Sequence, residues 1–325
     1  MCFSFAVVKN VMEVKYAQVA RLSKILTGIT TKYNCEIRGF LPKQIDCLLK
    51  AASTDLLAVL PTAYGKTIII QSLPFISDAP GKVIVASPLN AIIAEQACKF
   101  GSDALVVDDG FITSLKIGQH NEEVEKFLKK EFTFLLGHPE HLTDELFLKQ
   151  LSLNHVVVSH VVVDEAHCVL SYGLSQFRPS YLRLKYLRCF AGGCKYLALT
   201  ATASPNNAKL IAKELGMNGH DTVVLPPDRS NIFICVKKRP ASSGSKVFVE
   251  DSYDYILDSL TAELVEEGQQ FKKTIVYLPL KWCAYGHKKV CDALGIDYNG
   301  SDDIDDNGLL ASPVAQYHAP QWTQV

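Results

Sequence analysis

The sequence predicts an α/β fold, a parallel β-sheet covered by helices on both faces. Three observations point to it. Short β-branched runs alternate with longer mixed segments, the rhythm of strand–helix–strand units. Most of these runs are continuously apolar rather than alternating, as strands buried on both faces must be. Two of them end in residues suited to phosphate chemistry: Gly65, Lys66 and Thr67 after the first, Asp164 and Glu165 after the fifth.

In chain order, residues 9–27 read as an amphipathic helix ahead of the sheet. The predicted strands are LLAVL (56–60), KVIVAS (82–87), ALVV (104–107), FTFLL (132–136), HVVVDE (160–165), YLALT (196–200) and TVVL (222–225). A break follows, where PPDRSN is turn-rich and RPASSGSK has linker composition. Beyond it come a helix over 252–267, a strand TIVYL (274–278), a helix near 284–294 and an acidic, loop-like NGSDDIDDNG (299–308). A chain of 325 residues has room for one large α/β domain and part of another. The expected organisation is a helical extension over 1–34, a first domain over 35–226, a linker over 227–246 and an incomplete second domain over 247–325.

Composition narrows the class further. Apolar residues make up 48% and charged residues 21%, as in an ordinary globular protein. The formal net charge of -1 means that nucleic-acid binding would need a local basic track. Arg178, Arg183, Lys185 and Arg188, then Lys237, Lys238 and Arg239, supply one candidate track; solvated surface charge is an equal reading. The ten cysteines form no C-x-x-C pair and no His/Cys cluster, which predicts reduced thiols and no zinc. Cys47 and Cys168 lie in apolar context and read as buried fillers. No run of about 18 apolar residues predicts a membrane span. The opening MCFSFAVVKN lacks the basic region and cleavage site of a signal peptide.

The chemistry begins at VLPTAYGKTIII, residues 59–70. A phosphate-binding loop is written G-x-x-x-x-G-K-[ST], and Leu60 stands at its first glycine position. The strand–loop–helix context is present, so phosphates would sit in the loop Pro61-Thr62-Ala63-Tyr64-Gly65-Lys66-Thr67, on unpaired N–H groups at the start of the helix. Lys66 would reach the outer phosphates of ATP, and the Thr67 hydroxyl would hold Mg²⁺. A methyl at Ala63 is harmless if φ is negative and costs roughly 1 kcal/mol or more if φ is positive. VVVDEAHC (161–168) then places Asp164 at a buried strand tip, as a second Mg²⁺ holder, and Glu165 beside it as general base for an attacking water. YLALTATAS (196–204) presents Thr200 and Thr202 as hydroxyls able to couple the site to a neighbouring domain.

The order GKT, DEAH, TAT is that of superfamily 2 helicases, and the chain resembles the RecQ-type ATP-dependent DNA helicases. GFLPKQIDCLL (39–49) is similar to the family's adenine-reading segment, with Gln44 at the glutamine position and Leu41 where a basic residue is usual. SPLNAIIAEQ (87–96) and GHPEHL (137–142) resemble DNA-contact motifs, which implies contacts by Ser87, Pro88, Pro139 and Glu140. SYGLSQFRPSYLRL (171–184) resembles the aromatic-rich loop that couples DNA contact to hydrolysis; Tyr172 replaces a tryptophan, while Phe177, Arg178 and Tyr181 match. His167 completes the DEAH box. DRSNIFICV (228–236), KKTIVYLPLKWC (272–283) and VAQYHA (314–319) resemble later family segments.

The resemblance implies a RecA-like parallel sheet flanked by helices (the P-loop NTPase fold), followed by an incomplete second RecA-like domain. It implies ATP and Mg²⁺ as cofactors and DNA, single-stranded or forked, as partner, with movement 3′ to 5′, roles in repair and recombination, and nuclear or otherwise cytoplasmic location. Motifs V and VI, with the arginine finger, do not occur before Val325. The expectation is therefore a chain cut within the second motor domain and poor at unwinding, since an arginine finger is worth on the order of 10³–10⁵ in rate. Two rival readings stand beside it: a binding-only remnant, and another superfamily 2 member such as an RNA helicase. FRPSY after DEAHC speaks against the RNA helicase.

Overall fold

The computed structural model describes residues 3–33, 36–76, 81–175, 177–191, 193–228, 232–236, 238–239 and 246–296. The chain divides into two compact units, Met1–Arg229 and Ser230–Val325. In the first, seven strands form one sheet: β1 Leu56–Val59, β2 Lys82–Ala86, β3 Ala104–Val107, β4 Phe134–Gly137, β5 Val158–Val163, β6 Lys195–Thr200 and β7 Asp221–Val224. Their order is β3-β4-β2-β5-β6-β1-β7, and every pairing is parallel. Each of the seven strands predicted for the first domain is present, with ends shifted by no more than two residues.

The apolar runs are continuous because both faces of the sheet are covered. Leu57 and Val59 of β1 enter one core with Ile84, Val161 and Ala198. Leu56, Ala58 and Leu60 enter the opposite core with Val83, Val162 and Leu197. A strand whose alternate residues feed two cores leaves no polar side, so periodicity of two is invisible in its sequence.

The predicted N-terminal helix is longer than expected, running Phe3–Tyr33. It is seated on the second core through Ile25, with Leu22 and Tyr33 packed against that core, and Ile29 is buried as well. Gly28 lies against the Phe75 ring so closely that a Cβ would come within 2.6 Å of it. Tyr33 closes the contact, donating to Asp103 at 2.9 Å. Cys47 and Cys168 are buried, as fillers should be, and burial pushes the Cys47 thiol up to about 12.

The second unit holds helices Lys246–Glu267 and Leu280–Leu294. Tyr253, Leu257 and Trp282 form its small core, and Lys289 bonds Asp254 and Asp258 at 2.6 and 2.7 Å. The predicted strand at 274–278 forms no ladder among the described residues. Ile275 and Tyr277 are exposed there, and the run carries no regular secondary structure. Half of the expected linker, the acidic 299–308 stretch and VAQYHA lie outside the described residues. Among those described, no helix is long and apolar enough to cross a membrane.

Candidate nucleotide and nucleic-acid site

All seven strands run the same way, so every candidate segment emerges at one edge of the sheet. The loop at 61–67 follows β1, Ser87 follows β2, Pro139 follows β4, Asp164 follows β5 and Thr202 follows β6. Ligands of open parallel sheets bind at this carboxyl edge. β6 lies between β5 and β1, and backbone bonds fasten the three together. Leu60 N–H donates to the Thr200 carbonyl at 2.9 Å, and Ala166 N–H to the Leu199 carbonyl at 2.8 Å.

Gly65 begins the helix Lys66–Ser72 with φ 77°, and it has no room for a side chain: a Cβ would meet Gln44 Nε2 at 2.5 Å. Ala63 has φ 63°, in the left-handed region. The methyl that sequence analysis left conditional is thus in the costly conformation, at on the order of 1 kcal/mol relative to glycine. Gln44 is buried and braces this loop. Its Nε2 donates to the Tyr64 carbonyl at 2.9 Å, and its Oε1 accepts from Leu41 N–H at 2.8 Å.

Lys66 and Glu165, 99 residues apart in sequence, meet at 3.3 Å between Nζ and Oε1. Glu165 is held in a left-handed conformation, φ 48°. Its carboxyl sits below the usual range: the His167 hydrogen bond is the main cause, and Lys66 outweighs the opposing burial with it. Asp164 is buried and shifted the other way, by burial first and then by the Glu165 charge. One Asp164 oxygen accepts from Gln96 Nε2 at 2.9 Å and the other from Glu165 N–H at 3.0 Å. His167 Nδ1 lies 3.1 Å from Thr200 Oγ1 and 3.3 Å from Glu165 Oε2. A hydrogen bond to the Cys168 side chain, then Glu165, raises its pKa to about 10. Thr200 is buried and exchanges hydrogen bonds of 3.2 Å with the backbone of Thr202, which is exposed.

These residues fit ATP and Mg²⁺. The loop needs a glycine at Gly65, an ammonium is aimed into the site, and Thr67 and Asp164 offer the hard oxygen ligands that Mg²⁺ takes. Among the described residues Gln96 Oε1, beside Asp164, is buried without a hydrogen-bond partner, as an acceptor for a water or a nucleotide group would be. Among the described residues no group of three His, Cys, Asp or Glu side chains is placed to hold a metal alone.

The candidate DNA contacts divide by exposure. Phe177 is 72% exposed, and Tyr172, its T-shaped neighbour at 5.4 Å, is half-buried. Ser87, Pro88, Pro139 and Tyr181 are buried, so their side chains shape the edge without facing a strand of nucleic acid. Arg178 is occupied: it bonds Glu140 through Nε and Nη2 at 2.8 and 2.6 Å, and the Pro88 carbonyl at 2.8 Å. The aromatic segment opens as a π-helix, Val169–Leu174, a form that recurs at functional sites. Arg188, from the candidate basic track, instead bonds the buried Asp55 at 2.7 Å at the opposite edge of the sheet.

Sequence reasoning placed Gln96 only within a DNA-contact motif and passed over Ser180 and His138. Ser180 donates to Glu140 at 2.7 Å, and His138 bridges the Ser87 carbonyl and Asn90 at 2.9 and 2.6 Å. The nearest signal was their position within the motif segments.

Comparison with known proteins places this geometry. A family model described as DEAD/DEAH box helicase matches residues 42–211, more than half of the chain. The "ATP-dependent DNA helicase RecQ" of Synechocystis sp. is 31% identical over 197 residues, 59% of this chain and 40% of the relative. A protein of Acanthamoeba polyphaga mimivirus named for an ATP-dependent RNA helicase is 27% identical over 244 residues, 72% of this chain and 41% of the relative. The chain therefore spans about two-fifths of the length of either relative. Among solved structures, the helicase MrfA aligns with a TM-score of 0.51 at 16% identity, covering 86% of this chain and 42% of that one, a likeness of fold. The chain belongs to the DEAD/DEAH box helicase family.

Proposed function

We propose that the chain binds ATP-Mg²⁺ and single-stranded DNA and serves as the ATP-driven motor of a 3′-to-5′ DNA helicase. The observation that carries this reading is the 3.3 Å approach of Lys66 to Glu165, with Asp164 adjoining, at the carboxyl edge of a parallel sheet. When bound, ATP-Mg²⁺ supplies the phosphoryl group and the charge that polarises it. Lys66 neutralises the outer phosphates, Thr67 and Asp164 hold the cation, and Glu165 accepts the proton of the attacking water. His167 orients Glu165 and reports its state to Thr200. Phe177 and Tyr172 offer faces on which bases stack, a contact that tolerates any sequence. Forked DNA as substrate, work in repair and recombination, and a nuclear setting belong to this same reading.

The test is nucleotide binding and hydrolysis by the purified protein. Lys66→Ala is expected to weaken ATP-Mg²⁺ binding, and single-stranded DNA to stimulate hydrolysis. Unchanged affinity in Lys66→Ala would remove the site assignment. A second reading, RNA as the stimulating strand, is favoured by the similarity to the mimivirus protein. Stimulation by RNA at least equal to that by DNA would select it.

A further inference from the structure

Tyr64 is the one residue between Pro61 and Lys66 with an aromatic side chain, and that side chain reaches back to helix Pro42–Ala51. Its hydroxyl accepts from the Lys43 N–H at 3.4 Å, a donor in the first helical turn that has no partner within the helix. Its carbonyl accepts from Gln44 Nε2 at 2.9 Å, and Gln44 is fixed in turn by Leu41 N–H at 2.8 Å. The ring is half-buried against the core that holds Cys47 and Leu60. Side chain and main chain of Tyr64 are thus both fastened to one helical turn. The residue before it, Ala63, is exposed and left-handed.

We propose that Tyr64 is a positioning residue that clamps the phosphate loop to the start of helix Pro42–Ala51 and so holds Ala63 in its left-handed bend. The inference rests on the nucleotide-site reading and adds to it a device built from Tyr64 and the start of helix Pro42–Ala51. An alanine released from the clamp returns to negative φ, favoured by about tenfold or more. The loop N–H groups then no longer converge on an anion. A glycine adopts either sign of φ about equally, so with glycine at this position the clamp is dispensable. Alanine in the loop is tolerated because its neighbour is anchored.

The test is a double-mutant cycle read by titration of the full chain with ATP-Mg²⁺ and with inorganic tripolyphosphate, which has no base. Tyr64→Ala is expected to weaken both about tenfold. Tyr64→Phe keeps the ring, loses only the long hydroxyl bond, and is expected to weaken them about two- to threefold. Ala63→Gly placed in the Tyr64→Ala background is expected to restore most of the loss. A purely structural role for the ring would not be rescued this way, because the gap left in the core is the same in both backgrounds. Affinity like the parent's in Tyr64→Ala, or a deficit that Ala63→Gly leaves in place, overturns the proposal. Lys66→Ala separates the two layers. If it too binds like the parent, the nucleotide site itself is wrong; if it binds weakly while Tyr64→Ala does not, only the clamp is lost.

Discussion

Arg178 grips both carboxylate oxygens of Glu140, at 2.8 and 2.6 Å, and ties the aromatic segment to the turn after β4. A bidentate guanidinium–carboxylate pair fixes direction as well as distance, which a lysine cannot reproduce. Arg178 also holds the Pro88 carbonyl, so three segments at the sheet edge are joined by one side chain. Its cation is committed within the protein, while the neighbouring Phe177 ring is exposed.

Arg178→Lys is therefore predicted to uncouple rather than unfold. Hydrolysis without DNA should stay near the parent level, while the stimulation by single-stranded DNA falls severalfold. Phe177→Ala should lower DNA affinity by roughly 1–3 kcal/mol, the range for one stacked base. Equal DNA stimulation in parent and Arg178→Lys would show that the tie has no part in coupling.

The same pair makes a pH prediction. Partial burial alone would raise the Glu140 carboxyl; hydrogen bonds from Arg178 and Ser180 outweigh it and bring the pKa down to about 2. A folded pKa below the unfolded one means stability that is present above pH ~4.5 and lost as pH falls toward 2. Both side chains are partly exposed, so the contribution is no more than about 1 kcal/mol. Urea midpoints of the parent and Glu140→Gln should differ at pH 7, and the gap should narrow below pH ~4.5 and close only toward pH 2. A constant gap across that range would refute the assignment.

The sheet was legible because its determinants are local: apolar runs of strand length, bounded by turn residues, and motifs placed at strand ends. The grouping of Lys66, Asp164, Glu165 and Thr200 followed from motif order once the strands were parallel. What escaped was partnership between distant residues. Nothing near Arg178 in sequence says that Glu140, 38 residues earlier, will occupy it, nor that Gln96 will hold Asp164 across 68 residues. The sign of φ at Ala63 is likewise set by how Tyr64 is anchored. The run at 274–278 misled for the converse reason: strand composition creates no strand without a neighbour to accept its hydrogen bonds.

Arg188 illustrates how a charge count misleads. It pairs with buried Asp55, which also accepts from Tyr196 N–H at 2.9 Å, and its guanidinium stacks 4.5 Å from the Tyr196 ring centroid. Breaking one half of such a pair leaves a buried carboxylate uncompensated, at a cost of about 3–5 kcal/mol. Arg188→Met is predicted to lower the unfolding free energy by an amount near that range. The salt dependence of DNA affinity should keep its slope, since no phosphate contact is lost. A slope reduced by about one would return Arg188 to the DNA track.

Gly28 packs the N-terminal helix against Phe75, at the end of the element that begins at Lys66. The helix Lys66–Ser72 runs directly into the turn Leu73–Phe75, and Phe75 is the ring on which Gly28 rests. A valine there must displace that ring or tilt one helix, and overpacking of this kind costs about 1–3 kcal/mol. The displacement is passed back through the turn Leu73–Phe75 and about two turns of helix Lys66–Ser72 to Lys66 and Thr67, while the aromatic segment lies across the sheet in the other core. Gly28→Val is therefore predicted to weaken ATP-Mg²⁺ binding severalfold at temperatures well below its unfolding midpoint, with DNA affinity nearly unchanged. Equal losses for both ligands would mean that the substitution acts by general unfolding, and that the N-terminal helix does not support the nucleotide loop.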